Sequence, residues 1–125
     1  MKLSAKTSRY EGIPVLRLAG ELDPATQAEL DVAVARFAEA GGHLILDLRD
    51  VTYADSTSLA TIINLHRHVS RREGALAIVC CHEGVGRVFR MTRLVGVLNL
   101  RDDLAGAARY VSAARERSIL RHGVV

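Results

Sequence analysis

The chain has 125 residues, the size of one domain, and its 49% hydrophobic and 25% charged residues are typical of a folded globular protein. The net charge is only +3 and aromatic residues make up 4%, which argues against a nucleic-acid binder. No apolar segment is long enough for a membrane span, and the first residues lack the apolar core of a signal peptide. These features predict a cytoplasmic domain that binds no nucleic acid and does not insert into a membrane.

Strand and helix patterns alternate in the first part of the chain. A weak strand is predicted over 3–9 and a second strand over 13–19. A helix follows, which begins at Asp23 and Pro24 and ends at Gly41 and Gly42, and an apolar strand over 44–48 comes after it. Asp is favoured at the N-cap and Pro at the first helical position, whereas Gly is favoured after a helix. The strand over 44–48 is apolar at almost every position, which predicts a central strand that is covered on both faces.

The alternation continues through the second part. It consists of a loop over 49–54, helices over 56–72, 83–95 and 103–117, strands over 76–81 and 97–100, and a loose C-terminal tail over 118–125. This order of elements predicts one α/β domain over residues 1–117 with a mixed sheet. Right-handed crossovers are expected between the later, parallel strands.

Few residues are arranged for catalysis or metal binding. The chain has no glycine-rich phosphate loop, dinucleotide fingerprint or nucleophile elbow. Its five histidines are isolated, and the adjacent Cys80 and Cys81 would point to opposite faces of a strand, which predicts reduced structural thiols. Asp47 lies inside an apolar strand and is expected to bond backbone N–H groups beyond it. A small-molecule binder or enzyme using Asp47, His82 or the cysteine pair is a hypothesis that we rank low, and no cofactor or metal is predicted.

The run Asp55-Ser56-Thr57-Ser58 stands directly before an apolar helical pattern. An N-cap accounts for one or two of these residues, but not for three consecutive hydroxyl groups. Because the free N–H groups and the dipole of a helix start favour negative charge, a phosphate would be tolerated there. The run is therefore a candidate phosphorylation site on a binding surface.

At this point the sequence resembles a known family. Residues 44–59 resemble the central signature of STAS domains, which include the bacterial anti-sigma factor antagonists, and Gly20-Glu21-Leu22-Asp23 resembles a second recurrent loop of that family. Residues 85–98 resemble its third helix and the exit from it. The resemblance implies a mixed sheet of about five strands, with about four helices packed mainly on one face.

The resemblance also implies a function by partner switching. A serine/threonine kinase of the GHKL ATPase type, which is also the anti-sigma factor, would phosphorylate Thr57, and a PP2C-type phosphatase would reverse the reaction. The unphosphorylated domain would bind the anti-sigma factor and release a sigma factor, so the chain itself would be no enzyme. The implied partner-binding residues are Glu21, Asp23, Asp55, Ser56, Thr57 and Ser58.

Two positions depart from the family pattern. Thr57 stands where Ser is usual, with Ser56 as an alternative acceptor, and Ser58 stands where Gly is usual. A side chain at position 58 is expected to obstruct the close approach of a partner's backbone. This departure leaves a second hypothesis open, in which the chain is a non-phosphorylated scaffolding STAS domain of a stressosome-like assembly or a lipid-transport ABC complex.

Overall fold

The computed structural model describes residues 3–80, 85–91 and 98–121, and these ranges contain five strands and four helices. The strands are β1 (Ser4–Tyr10), β2 (Ile13–Leu22), β3 (Leu44–Ala54), β4 (Leu76–Val79) and β5 (Asn99–Arg101). The helices are α1 (Gln27–Ala38), α2 (Ser56–Arg71), α3 (Val85–Met91) and α4 (Leu104–Arg121).

The five strands form one mixed sheet in the order β1-β2-β3-β4-β5. β1 runs antiparallel to β2, and the tight turn between them contains Glu11 and Gly12, both with positive φ. β2, β3, β4 and β5 are parallel neighbours. The predicted mixed α/β sheet with a parallel second part is thus confirmed.

The helices are divided unequally between the two faces of the sheet. Buried residues of α1, α2 and α3 pack with alternate strand residues such as Leu16, Leu46 and Ile78 in the larger core. α4 packs on the opposite face, against residues such as Val15 and Ile45. Because β3 is covered on both faces, Leu44–Leu48 contains no exposed residue, which explains its apolar sequence. Three helices on one face and one on the other confirm the implied arrangement.

β2 and β3 are longer than their sequences predicted. The segment over 49–54, predicted as a loop, belongs to β3, because β2 continues to Leu22 and pairs with β3 as far as Ala54. The register shifts twice along this extension. Only Val51 and Ala54 are buried among these six residues, so two polar residues precede each apolar one. That three-residue spacing hides the ordinary two-residue alternation of a strand.

α1 begins later than predicted. The helix starts at Gln27 rather than at Pro24, and Asp23 caps a separate turn in front of it. The Asp23 Oδ1 atom accepts hydrogen bonds from the N–H groups of Ala25 at 2.9 Å and Thr26 at 3.1 Å. The prediction that Asp23 is the N-cap of α1 is therefore wrong, because its carboxylate caps a turn of the loop and Thr26 is the N-cap of the helix.

α4 ends later than predicted. It continues through Ser118 to Arg121, which the sequence had assigned to the start of a loose tail. The last two turns are rich in Ala, Arg and Glu, which favour a helix without needing burial, and Ile119 and Leu120 are exposed. Residues 122–125 of the predicted tail lie outside the described residues, as do Cys81, His82 and the end of the helix predicted over 83–95.

Candidate functional site

The candidate site lies at the edge of the sheet where β2 and β3 end. The N–H group of Asp55 donates to the carbonyl oxygen of Leu22 at 3.0 Å, so the chain leaving β3 is bonded to the chain leaving β2. Glu21 is aligned with Tyr53 in the same parallel pairing. The Gly-Glu-Leu-Asp loop and the hydroxyl-rich helix start therefore adjoin, although they are more than thirty residues apart in the chain.

Asp55 is the N-cap of α2. Its backbone is extended, with φ −93° and ψ 176°, and its carboxylate accepts a hydrogen bond from the N–H group of Ser58 at 2.8 Å. This hydrogen bond from the Ser58 backbone is the largest cause that lowers the pKa of the Asp55 carboxyl from its ordinary value. A carboxyl whose pKa is lowered is ionised at neutral pH, so the helix start carries a negative charge.

Ser56 and Thr57 present their side chains to solvent. Both residues are exposed on the first turn of α2. In the described part of the chain the Thr57 hydroxyl has no hydrogen-bond partner, whereas the Thr57 carbonyl oxygen lies 3.3 Å from the Thr61 hydroxyl. The Thr57 hydroxyl is thus accessible to an external enzyme while the backbone behind it is held in the helix.

Ser58 has the opposite orientation. Its relative exposure is 0%, and its hydroxyl donates to the Oε1 atom of Gln27 on α1 at 3.2 Å. The sequence placed Ser58 on the partner-facing surface, and the structure corrects this placement: the side chain points into the interface between α1 and α2. It therefore does not project where a partner's backbone would approach.

The loop that carries Glu21 and Asp23 is held by Thr26. The buried Thr26 hydroxyl lies 2.7 Å from the carbonyl oxygen of Glu21, to which it donates, and it accepts from the N–H group of Asp23 at 3.1 Å. These bonds close the loop on itself and leave the Asp23 carboxylate to cap the following turn. Two acidic residues are thereby fixed beside the start of α2.

Tyr53 is a surface residue of this site that sequence reasoning missed. Its relative exposure is 53%, and it precedes Asp55 by two residues. Exposed Tyr side chains are enriched where proteins bind one another, because they bury a large area and still offer a hydroxyl group. The available signal was an aromatic residue inside a polar stretch of a chain with few aromatics, but its exposure depends on the extension of β3.

Comparison with known proteins identifies the family. Residues 4–107 match the family model of the STAS domain. This chain belongs to the STAS domain family. It is 25% identical over 111 residues to the anti-sigma F factor antagonist of Paenibacillus polymyxa, and the match covers 86% of this chain and 93% of that protein.

Solved structures agree with this STAS fold. The crystal structure of an anti-sigma factor antagonist from Mycobacterium paratuberculosis superposes with a TM-score of 0.81 at 20% identity, covering 88% of this chain and 94% of the other. The Bacillus cell fate determinant SpoIIAA in its phosphorylated form superposes with a TM-score of 0.62 at 16% identity, covering 86% of this chain and 99% of the other. At these identities the likeness concerns the fold.

Asp47 is a buried residue of β3 that forms an ion pair with Arg49. The side chain is buried, and the guanidinium group of Arg49 contacts both carboxylate oxygens, with Nε 3.0 Å from Oδ1 and Nη2 2.9 Å from Oδ2. The Arg49 N–H group donates to Oδ1 at 3.1 Å. This forked pairing compensates the burial of the carboxylate, as the sequence required.

The other candidates for chemistry are scattered in the STAS domain. Burial lowers the pKa of His43 and of His66, with nearby Arg115 and Arg67 as the second causes. Among the described residues there is no group of three or more His, Cys, Asp or Glu side chains that could hold a metal ion. The described helices also include none with the length and apolar character needed to cross a membrane. Cys80 is buried, whereas His82 lies outside the described ranges.

Proposed function

We propose that this STAS domain is a cytoplasmic anti-sigma factor antagonist controlled by phosphorylation of Thr57. Its unphosphorylated form binds an anti-sigma factor and thereby releases a sigma factor. The anti-sigma factor, a serine/threonine kinase of the GHKL ATPase type, phosphorylates Thr57 and ends the interaction, and a PP2C-type phosphatase restores it. The observation that carries the proposal is the exposed Thr57 hydroxyl on the first turn of a capped helix, which has no hydrogen-bond partner among the described residues.

This geometry suits a phosphoacceptor. Phosphoryl transfer requires ATP, Mg²⁺ and a positioned base, all of which the kinase supplies, so the substrate needs only an accessible hydroxyl in a fixed place. The unpaired N–H groups and the dipole of a helix start favour the added negative charge. Phosphorylation is therefore compatible with the intact fold, and SpoIIAA, which has this fold, has been solved in a phosphorylated form.

The charges around Thr57 suit a switch that turns binding off. A phosphate adds about −1.5 to −2 charges at neutral pH. It would enter a surface that already carries the ionised Asp55 carboxylate and the adjoining Glu21 and Asp23 loop. Repulsion and the cost of desolvating the phosphate would weaken an interface centred there, and a loss of ~4 kcal/mol would reduce affinity about a thousandfold.

The orientation of Ser58 supports the switch over the scaffolding hypothesis. That hypothesis rested on obstruction of the partner by a side chain where the family has glycine. The Ser58 side chain is buried against Gln27, so the surface around Thr57 is free of it. The proposed partner surface consists of Glu21, Asp23, Tyr53, Asp55, Ser56 and Thr57.

Phosphorylation in vitro tests the proposal. The protein is incubated with ATP, Mg²⁺ and the GHKL-type kinases of its own organism, and the modified residue is located by mass spectrometry. We expect one phosphate on Thr57, its loss in Thr57→Ala, and its retention in the neighbouring control Ser56→Ala. Calorimetry should then show tight binding of the unmodified protein to the kinase and about a thousandfold weaker binding of the phosphorylated form.

Two results would contradict the proposal. Phosphate confined to Ser56 would move the switch to the neighbouring residue. Absence of any phosphate, together with stable co-purification of the chain with a permease–ATPase complex, would replace the switch by the scaffolding function.

A further inference from the structure

We propose that Gln27 is a positioning residue that holds the phosphoacceptor Thr57 in its outward orientation by bonding the side chains of Ser58 and Thr61, which follow Thr57 on α2. This inference rests on the proposed function, because it concerns how the same acceptor is presented. Gln27 is the first residue of α1, whereas Thr57 lies in the first turn of α2. The structure brings the two helices together at this point through polar contacts rather than apolar packing alone.

The Gln27 amide bonds in two directions. Its Oε1 atom lies 3.2 Å from the buried Ser58 hydroxyl, from which it accepts. Its Nε2 group donates to the Thr61 hydroxyl at 2.9 Å and to the Asp31 carboxylate at 2.8 Å. Both ends of the amide are thus used, and two of its partners are on α2.

Thr61 extends this network to the acceptor residue itself. Its hydroxyl oxygen accepts from Gln27, so its single proton remains available for donation. Two acceptors are within reach of that proton, the Asp31 Oδ1 atom at 3.4 Å and the Thr57 carbonyl oxygen at 3.3 Å. The network therefore reaches the backbone of residue 57 and the side chain of residue 58.

The positions of these residues around α2 explain how the bonds affect the orientation of Thr57. Successive residues of an α-helix are rotated by about 100°, and residues three apart lie on one face. Ser58 and Thr61 are three apart, and both bond Gln27. Thr57 lies about 100° around the helix from Ser58, whereas Thr61 is four residues from Thr57 and lies on the same side of the helix as Thr57. Holding Ser58 against α1 therefore keeps its hydroxyl away from a kinase and leaves Thr57 exposed at the edge of the α1–α2 contact.

Kinetics of phosphorylation distinguish positioning from a structural role. In Gln27→Ala we expect kcat to fall about tenfold with little change in KM, and a measurable share of the phosphate to appear on Ser56 or Ser58. Glu29→Ala is the matched control, because Glu29 is exposed on the same turn of α1 and should leave both quantities unchanged.

A double variant sharpens the distinction. Gln27→Ala leaves the buried Ser58 hydroxyl without its partner on α1, and Ser58→Ala removes that hydroxyl. We therefore expect the double variant to recover thermal stability but not kcat, and to keep the share of phosphate found on Ser56, the misplaced acceptor that it still contains. Recovery of stability, kcat and acceptor selectivity together would overturn the proposal, because Gln27 would then act only on stability.

Hydrogen exchange tests the inference without a kinase. In Gln27→Ala the amides of residues 58–61, the first bonded amides of α2, should exchange about tenfold faster, while those of α4, on the opposite face of the sheet, should not change. If the wild-type protein takes no phosphate but this local change is seen, the proposed function fails and the orienting network stands. If wild-type Thr57 is phosphorylated and Gln27→Ala alters neither kcat, selectivity nor exchange, the network has no positioning role and the proposed function stands.

Discussion

Asp55 combines two roles in one carboxylate, since it caps α2 and supplies negative charge beside Thr57. Replacing an N-cap Asp by Ala costs about 1 kcal/mol, whereas Asn retains most of the capping bond. We therefore expect Asp55→Ala to lose about 1 kcal/mol in urea unfolding at pH 7, and Asp55→Asn to lose clearly less. Equal losses in the two variants would show that charge, and not the cap, stabilises this helix start.

The same residue predicts a dependence on pH. Folding lowers the pKa of Asp55 below its ordinary value of 3.8. Its ionised form therefore stabilises the fold fully above pH 3.8, and this stabilisation is lost as the pH falls through the folded-state pKa. Asp55→Asn should therefore show a smaller loss of stability than the wild type between pH 5 and pH 2, measured by urea unfolding. Parallel pH profiles for the two proteins would contradict this assignment.

Between elements, the loop before β3 lies close against the loop before β4. A Cβ atom added to Gly74 would overlap the carbonyl oxygen of Gly42 and also crowd Val69. The N–H group of Leu44 donates to the carbonyl oxygen of Ala75 at 2.9 Å, which fixes the two loops side by side. The helix–strand junctions therefore require a residue without a side chain at position 74.

This contact predicts a large effect for a small substitution. Gly74→Ala should lose about 3 kcal/mol of unfolding free energy, at the upper end of the cost of overpacking, because a backbone atom cannot move aside as a side chain can. Gly12→Ala is the control: its φ is +80° and the space around it is open, so only the conformational cost of about 1 kcal/mol applies. Similar losses at both glycines, measured by urea unfolding, would refute the steric explanation.

For the whole molecule, the arrangement of the sheet decides which surface is presented to a partner. Tyr53 and Val32 are almost equally exposed, at 53% and 52%. Tyr53 lies at the edge where β2 and β3 end, two residues before the Asp55 cap of α2, whereas Val32 lies in the middle of α1. If the proposed function holds, the partner covers Tyr53 and not Val32.

Binding to the anti-sigma factor tests this placement. Tyr53→Ala should weaken binding by about 2 kcal/mol, or roughly thirtyfold, because buried aromatic anchors dominate interface energies. Val32→Ala should change the affinity less than twofold, and both variants should unfold at the temperature of the wild type. A loss of affinity in Val32→Ala with none in Tyr53→Ala would place the partner over α1 instead.

Local chemistry explains the features that could be predicted. The apolar strand at 44–48, the start of α2 and the Asp55 cap depend on residues that are close in the chain, so their periodicity and capping pattern are visible directly. The exposed hydroxyl of Thr57 was also predicted as the candidate acceptor and remains so. The extension of β3 to Ala54 was not predicted, because pairing with β2, and not the local pattern, makes that segment a strand.

The sequence by itself determined the order of elements, the family and the run of hydroxyl groups after Asp55. Only the tertiary structure decided the orientation of those hydroxyl groups, because the burial of Ser58 depends on Gln27, which is 31 residues away in the chain and becomes a neighbour when α1 packs on α2. Side chains on one turn of a helix point in different directions, and the helix that packs against them determines which is buried. For this reason Ser58, which first looked like an obstruction on the surface, is part of the support that presents Thr57.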